Sequence, residues 1–142
     1  KADAIVLVYP IWFGMPPAII KGYVDRVLGA GFRSGDIRAD AANPMTEGKQ
    51  LILISTSATT RPWLEERGQW LALRRVFDTY LTDIFGFKAC EHIHFDAIVP
   101  EMSINVGNQH RASLREKTRR ICADLSLQRH SAAHATLRLA KP

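Results

Sequence analysis

Cysteine is scarce, with Cys90 and Cys122 the only two in 142 residues. They stand far apart and in no metal-ligand spacing, which argues against a disulfide framework or a zinc site and leaves them as reduced, inert thiols. Long apolar runs are lacking too. The longest, residues 4–9, is far short of the ~20 residues that span a bilayer, and no charged-then-apolar leader opens the sequence, so a cytoplasmic location is the expectation. No internal repeat, catalytic triad or metal cluster is visible. His92 and His94 alternate, as two metal ligands on one strand face would, but no third ligand stands at a convincing spacing. They are expected at the surface, and so are His110, His130 and His134.

What is present is the balance of a globular protein: 46% hydrophobic and 23% charged residues, enough for one domain with a real core. The net charge is +5, yet Lys and Arg are dispersed until a basic patch at residues 111–120 and a basic tail. With no groove-reading motif beside the charge, a nucleic-acid partner is not expected. The chain starts at Lys1 and runs almost at once into a strand-like segment, so it reads as part of a longer protein.

Residues 4–9 are a continuous apolar run, the pattern of a strand buried on both faces of a parallel sheet. From Pro16-Pro17 a helix is expected, with Ile19, Ile20, Tyr23, Val24, Val27 and Leu28 at helical spacing until Gly29 and Gly31. Residues 32–49 read as a long surface loop, and residues 51–54 as a second buried strand. A helix over residues 64–85 would turn Trp70, Leu73, Phe77, Tyr80, Leu81 and Ile84 inward, with Gly86 as its stop. A third strand is expected within 88–99, then a loop, then a helix from an Asn108 cap to about residue 125. Residues 126–142 lose the pattern and are expected to fray, giving a domain over 1–125 and a flexible basic tail over 126–142. Strands alternating with helices imply parallel βα units.

In such sheets ligands bind outside the carboxyl ends of the strands, here at residues 10–17 and 55–67. The first of these loops, Tyr9-Pro10-Ile11-Trp12-Phe13-Gly14-Met15-Pro16-Pro17, places two large aromatics where a structural connection would prefer small polar residues. A rigid, proline-flanked backbone with aromatic walls suits a flat heteroaromatic ring. Lys21 and Asp25, four apart on the following helix, read as an exposed ion pair.

From Tyr9 through Ala18-Ile19-Ile20-Lys21-Gly22-Tyr23-Val24-Asp25-Arg26-Val27, the sequence closely resembles the flavodoxin-like NAD(P)H quinone dehydrogenases, which include the potassium-efflux ancillary flavoproteins. A weaker resemblance extends to about residue 125 and includes Phe85-Gly86-Phe87. It implies an α/β fold, a doubly wound parallel sheet of order 2-1-3-4-5, of which this chain supplies strands 3 to 5. It also implies FMN or FAD, with NAD(P)H as co-substrate and a quinone or similar acceptor, in a homodimer. Pro10, Ile11, Trp12, Phe13 and Gly14 would form the flavin-ring loop, and Ser55, Thr56, Ser57 and Ala58 the second flavin loop.

Three departures stand out. Ser57-Ala58 replaces a Gly-Gly pair; Trp63 and Trp70 fall where the family carries its active-site Tyr and His; and the loop that holds the flavin phosphate has no counterpart in these residues. An indole cannot exchange protons as a phenol or imidazole does, so Arg61 becomes the candidate for stabilising charge on the reduced flavin. Trp63 and Trp70 could equally be core anchors. The alternative reading from the resemblance is a non-catalytic ancillary subunit on a membrane potassium-efflux transporter, with the basic helix as its contact surface, or a truncated inactive homologue.

Overall fold

The computed structural model describes residues 2–31, 33, 35–36, 43 and 45–139, the side chains of 132–139 excepted. The chain forms two units, Lys1–Pro100 and Glu101–Pro142.

The first unit is built on strands β1 (Ala4–Pro10), β2 (Gln50–Thr56) and β3 (Ala89–Phe95). They pair in parallel in the order β1-β2-β3, the order expected of strands 3, 4 and 5. The register sets Leu7, Leu53 and His92 in one row and Tyr9, Ser55 and His94 in the next. Because side chains alternate along a strand, these six share one face. Helix α1 joins Ala18–Tyr23 to a π-wound turn, Val24–Leu28. Helix α2 is Arg61–Glu66, and α3 runs through Gln69–Leu73, a π-wound Arg74–Thr79 and Tyr80–Ile84. The core joins Leu7, Leu51 and Leu53 of the sheet to Leu28, Leu73 and Phe77 of the helices. Across the sheet, Val6 and Val8 of the edge strand β1 are exposed.

Several expectations change. The helix foreseen over residues 64–85 starts earlier, at Arg61, and breaks at Gly68, whose φ of 68° a residue without a Cβ takes at least cost. Tyr80, expected inside, is 53% exposed, whereas Asp78 is buried. The π-wound turn is the reason: its wider winding brings Asp78 inward and turns Tyr80 out, while Leu81 keeps its inward place. In the segment that follows α1, the same winding leaves Val27 exposed while Val24 and Leu28 carry the packing; Ile19, ahead of it, is exposed as well. Lys21 and Asp25 do pair, at 2.6 Å and in the open. Of the expected loop 32–49, residues 32, 34, 37–42 and 44 lie outside the described residues. Within the rest, Asn43 and Thr46 are buried: Asn43 donates to the Leu28 carbonyl at 2.8 Å, and the Thr46 hydroxyl donates to the Phe85 carbonyl.

The second unit is one helix, α4, Ile104–Leu139. It begins before the anticipated Asn108 cap, because Ser103 serves instead, its hydroxyl accepting the Val106 N–H at 3.3 Å. Nor does it end near residue 125. The helix continues through Ser126, whose hydroxyl donates to the Cys122 carbonyl at 2.8 Å.

Candidate functional site

The β1–α1 connection is held by a tight turn. Trp12 N–H donates to the Met15 carbonyl at 2.9 Å and Met15 N–H returns the bond at 3.0 Å. The two residues between them, Phe13 and Gly14, have φ of 50° and 81°, the mirror-image turn class that needs positive φ at both positions. Gly14 takes that conformation freely; Phe13 is held in it at a cost. Its ring stands fully exposed at the tip, and the N–H groups of Phe13 and Gly14 have no hydrogen-bond partner among the described residues.

The β2–α2 connection lies alongside. The loops are tied where Ile11 N–H donates to the Thr56 carbonyl at 2.7 Å. Loop 57–60 is fastened to the end of β3: Ser57 N–H donates to the Phe95 carbonyl at 3.0 Å and Arg61 N–H to Asp96 Oδ2 at 2.6 Å. Neither Ser57 nor Ala58 has positive φ, so this loop has no conformational need for the glycines it lacks.

Between the two connections is a cleft of about 430 Å³, lined by Ile11, Phe13, Gly14, Ala58, Thr59, Trp63, Leu64 and Gln69. The fold thus brings Ile11, Phe13, Gly14, Ala58 and Trp63 together from the residues singled out in the sequence. Pro10, Trp12, Ser55, Thr56 and Ser57 are not in its lining: Trp12 points out, 61% exposed, and Ser55 is fully buried beneath. Arg61 is occupied elsewhere, paired with Glu65 at 2.8 Å and lying 4.6 Å above the Trp70 ring. Trp70 itself is core, and Trp63 forms the cleft wall with Arg67 stacked on it at 4.5 Å. A larger groove of about 640 Å³, mostly apolar, runs between α1 and α3 past Val24, Val76 and Leu81.

Beneath the cleft lies a polar chain that the sequence did not disclose. His92 and His94, expected at the surface, point into the unit, and the His92 side chain is 1% exposed. Asp78 Oδ2 stands 2.7 Å from His92 Nδ1, and His92 Nε2 stands 2.7 Å from Ser55 Oγ. Ser55 Oγ is also 2.8 Å from His94 Nδ1, and His94 Nε2 is 3.1 Å from Ser57 Oγ, which donates to the Thr59 carbonyl at 2.6 Å. Burial, reinforced by His92, depresses His94 to about 4. Burial and the Asp78 carboxylate push the Tyr9 phenol far up and the Cys90 thiol up to about 11. Asp78, His92 and Ser55 have the spacing of an acyl-transfer triad, but Ser55 is inaccessible to any substrate. The sequence signal was a 37-residue separation between Ser55 and His92, which only strand register could pair.

The comparisons accord with this architecture. The family model Flavodoxin_2, described as a flavodoxin-like fold, matches residues 1–120. An uncharacterized NAD(P)H oxidoreductase of Haemophilus influenzae is 30% identical over 96 residues, which is 68% of this chain and 46% of that relative. The chain therefore spans about half the length of that relative. Among solved structures, an NAD(P)H:quinone oxidoreductase from Methanothermobacter marburgensis superposes with a TM-score of 0.59 at 23% identity, over 80% of this chain and 54% of that one. A thermophilic tryptophan halogenase superposes with a TM-score of 0.61 at 16% identity, over 82% of this chain and 66% of that one. At such identities these two speak for the fold alone.

Proposed function

The chain belongs to the Flavodoxin_2 family, and from that premise we propose that its cleft takes the ring of a flavin, FMN or FAD, within an NAD(P)H-dependent oxidoreductase that reduces a quinone or similar acceptor. The observation that supports this most is the Trp12–Met15 turn, whose Phe13 and Gly14 line a cleft outside the strands' carboxyl ends with an exposed aromatic ring and two N–H groups that have no partner among the described residues. A phenylalanine held at positive φ and left in water bears a backbone cost with no packing to offset it, the kind of strain that gathers at binding sites. The relatives' names carry NAD(P)H and, in one case, quinone, which agrees with the reading.

The residues fit the ring. Phe13 and Trp63 offer flat apolar walls, Ile11 and Leu64 exclude water, and the Phe13 and Gly14 N–H groups can donate to ring nitrogens or carbonyls. Gly14 also admits close approach, since a Cβ there would meet nothing nearer than Gln69 at 4.0 Å. When bound, the flavin supplies the hydride chemistry, accepting from a nicotinamide and passing on to the acceptor. The chain's own part is to orient the ring and keep one face open for the two substrates in turn. No cleft side chain among the described residues needs to titrate for that role. Arg61, pinned by Glu65 and Trp70, would act on reduced-ring charge through its field rather than by contact.

The test is an absorbance spectrum of the purified chain with FMN or FAD, followed by anaerobic NADH or NADPH. A bound flavin band that bleaches with reductant is the expected result. Folded protein that retains no flavin would overturn the proposal for this chain and move the balance to a non-catalytic subunit.

A further inference from the structure

Each of the contacts running from Asp78 through His92, Ser55, His94 and Ser57 to the Thr59 carbonyl needs one proton, so five contacts need five. An ionised Asp78, two neutral imidazoles and two hydroxyls hold four. One contact would then be two lone pairs facing each other in a buried site, a costly arrangement. We propose that this chain binds one additional proton, carried on His92 against Asp78, and that the proton positions loop 57–59, one wall of the candidate cleft. The inference stands apart from the flavin reading, because the counting involves no cofactor.

Geometry places the proton. Asp78 Oδ2 accepts from Arg74 Nε at 3.3 Å as well as facing His92, so it is a carboxylate oxygen, and the proton belongs to the imidazole. His92 then donates through Nδ1 to Asp78 and through Nε2 to Ser55. Ser55 donates to His94 Nδ1, His94 donates through Nε2 to Ser57, and Ser57 donates to the Thr59 carbonyl. All five contacts are satisfied in one direction. The other titratable or charged groups around the chain are Tyr9 from β1, Cys90 from β3, Arg61 from α2 and Asp96 beyond β3, with Glu91, on the other face of β3, acting on Cys90. Tyr9 and Cys90 stay protonated through the neutral range, and His94 stays neutral, so none of these three takes over the charge.

Removing the proton to solvent reverses the chain. Asp78 keeps the His92 Nδ1–H, so Ser55 must donate back to His92 Nε2, and His94 must turn its single proton to Nδ1 to serve Ser55. The shortage then arrives at Ser57, whose one hydroxyl proton can go to His94 or to Thr59 but not to both. A proton lost in the core is thus felt at the cleft wall.

The experiment is a pH titration of the ¹⁵N-histidine-labelled chain, read from long-range imidazole correlations without cofactor. Near neutral pH, His92 should carry protons on both nitrogens and His94 on Nε2. On raising the pH, His94 should switch to Nδ1–H at the midpoint at which His92 loses its second proton. Ser57→Ala removes the two outer contacts and leaves three that neutral histidines satisfy. His94 should then be Nδ1–H at neutral pH, with the His92 midpoint lower than in the unmodified chain. Asp78→Asn, its amide donating to His92 Nδ1, should leave His92 neutral while His94 keeps Nε2–H. A merely structural serine would not change the protonation of His92, three contacts away. Nδ1–H on His94 of the unmodified chain at neutral pH, or a tautomer that ignores the His92 titration, would overturn the proposal, and the unmodified chain decides this even if a variant fails to fold.

Discussion

Replacing Phe13 by asparagine separates what that residue does for folding from what it does in the cleft. Phe13 has φ of 50° and relative exposure of 107%, so its side chain contributes no buried area to stability. The left-handed conformation costs an ordinary L-residue about 1–2 kcal/mol, and asparagine tolerates it through local hydrogen bonding. Phe13→Asn is therefore expected to stabilise the chain by about 1 kcal/mol, raising Tm by about 3 °C for a chain of this size. The same change removes a stacking wall, and a ring contact of about 0.5–1.5 kcal/mol predicts FMN binding weakened by about twofold to twelvefold. Urea unfolding gives the first quantity and a flavin fluorescence titration the second. Opposite signs are the signature of strain retained for binding. A variant that loses stability would show that Phe13 packs in the native state. One that gains stability yet binds FMN unchanged would remove Phe13 from the ring site.

Three further outcomes follow from other parts of the molecule. His94 folds with its value lowered from 6.5 to about 4, so between those pH values the unfolded chain binds more protons and stability falls as the solution is acidified. The full shift is worth about 3 kcal/mol and, screened at a half-buried ring, about 1–2; the change in unfolding free energy between pH 7.5 and 4.5 should shrink by that amount in His94→Gln. With its thiol raised to about 11 by burial, Cys90 should react with iodoacetamide at pH 8 far more slowly than exposed Cys122, giving one fast and one slow adduct by mass spectrometry. Leu53 is 0% exposed at the centre of the sheet, and Leu53→Ala should cost about 2–5 kcal/mol by urea denaturation, while Leu71→Ala, 54% exposed on α3, should change little.

Local pattern was enough for the framework. The run at residues 4–9 announced a strand, and the turn flanked by prolines announced the cleft, because two large aromatics on a tight turn are a signal carried by adjacent residues. The loops at residues 10–17 and 55–67 could be nominated from their place after strands, and Ile11, Phe13, Gly14, Ala58 and Trp63 within them from the family resemblance. What adjacent residues could not show was which way a helix face turns once its winding changes. The π-wound turn of α3 buries Asp78 and exposes Tyr80, and a 3.6-residue period assigns them the other way. Nor could they show that His92 and His94 point inward, since alternation says only that two histidines share a face and not which face it is. That was decided by parallel register, which sets Ser55 opposite His94, and by α3 laying Asp78 against His92. The elements and their order belong to the sequence; the buried proton chain belongs to the packing, because its members lie up to 39 residues apart and only the assembled sheet brings them within a hydrogen bond.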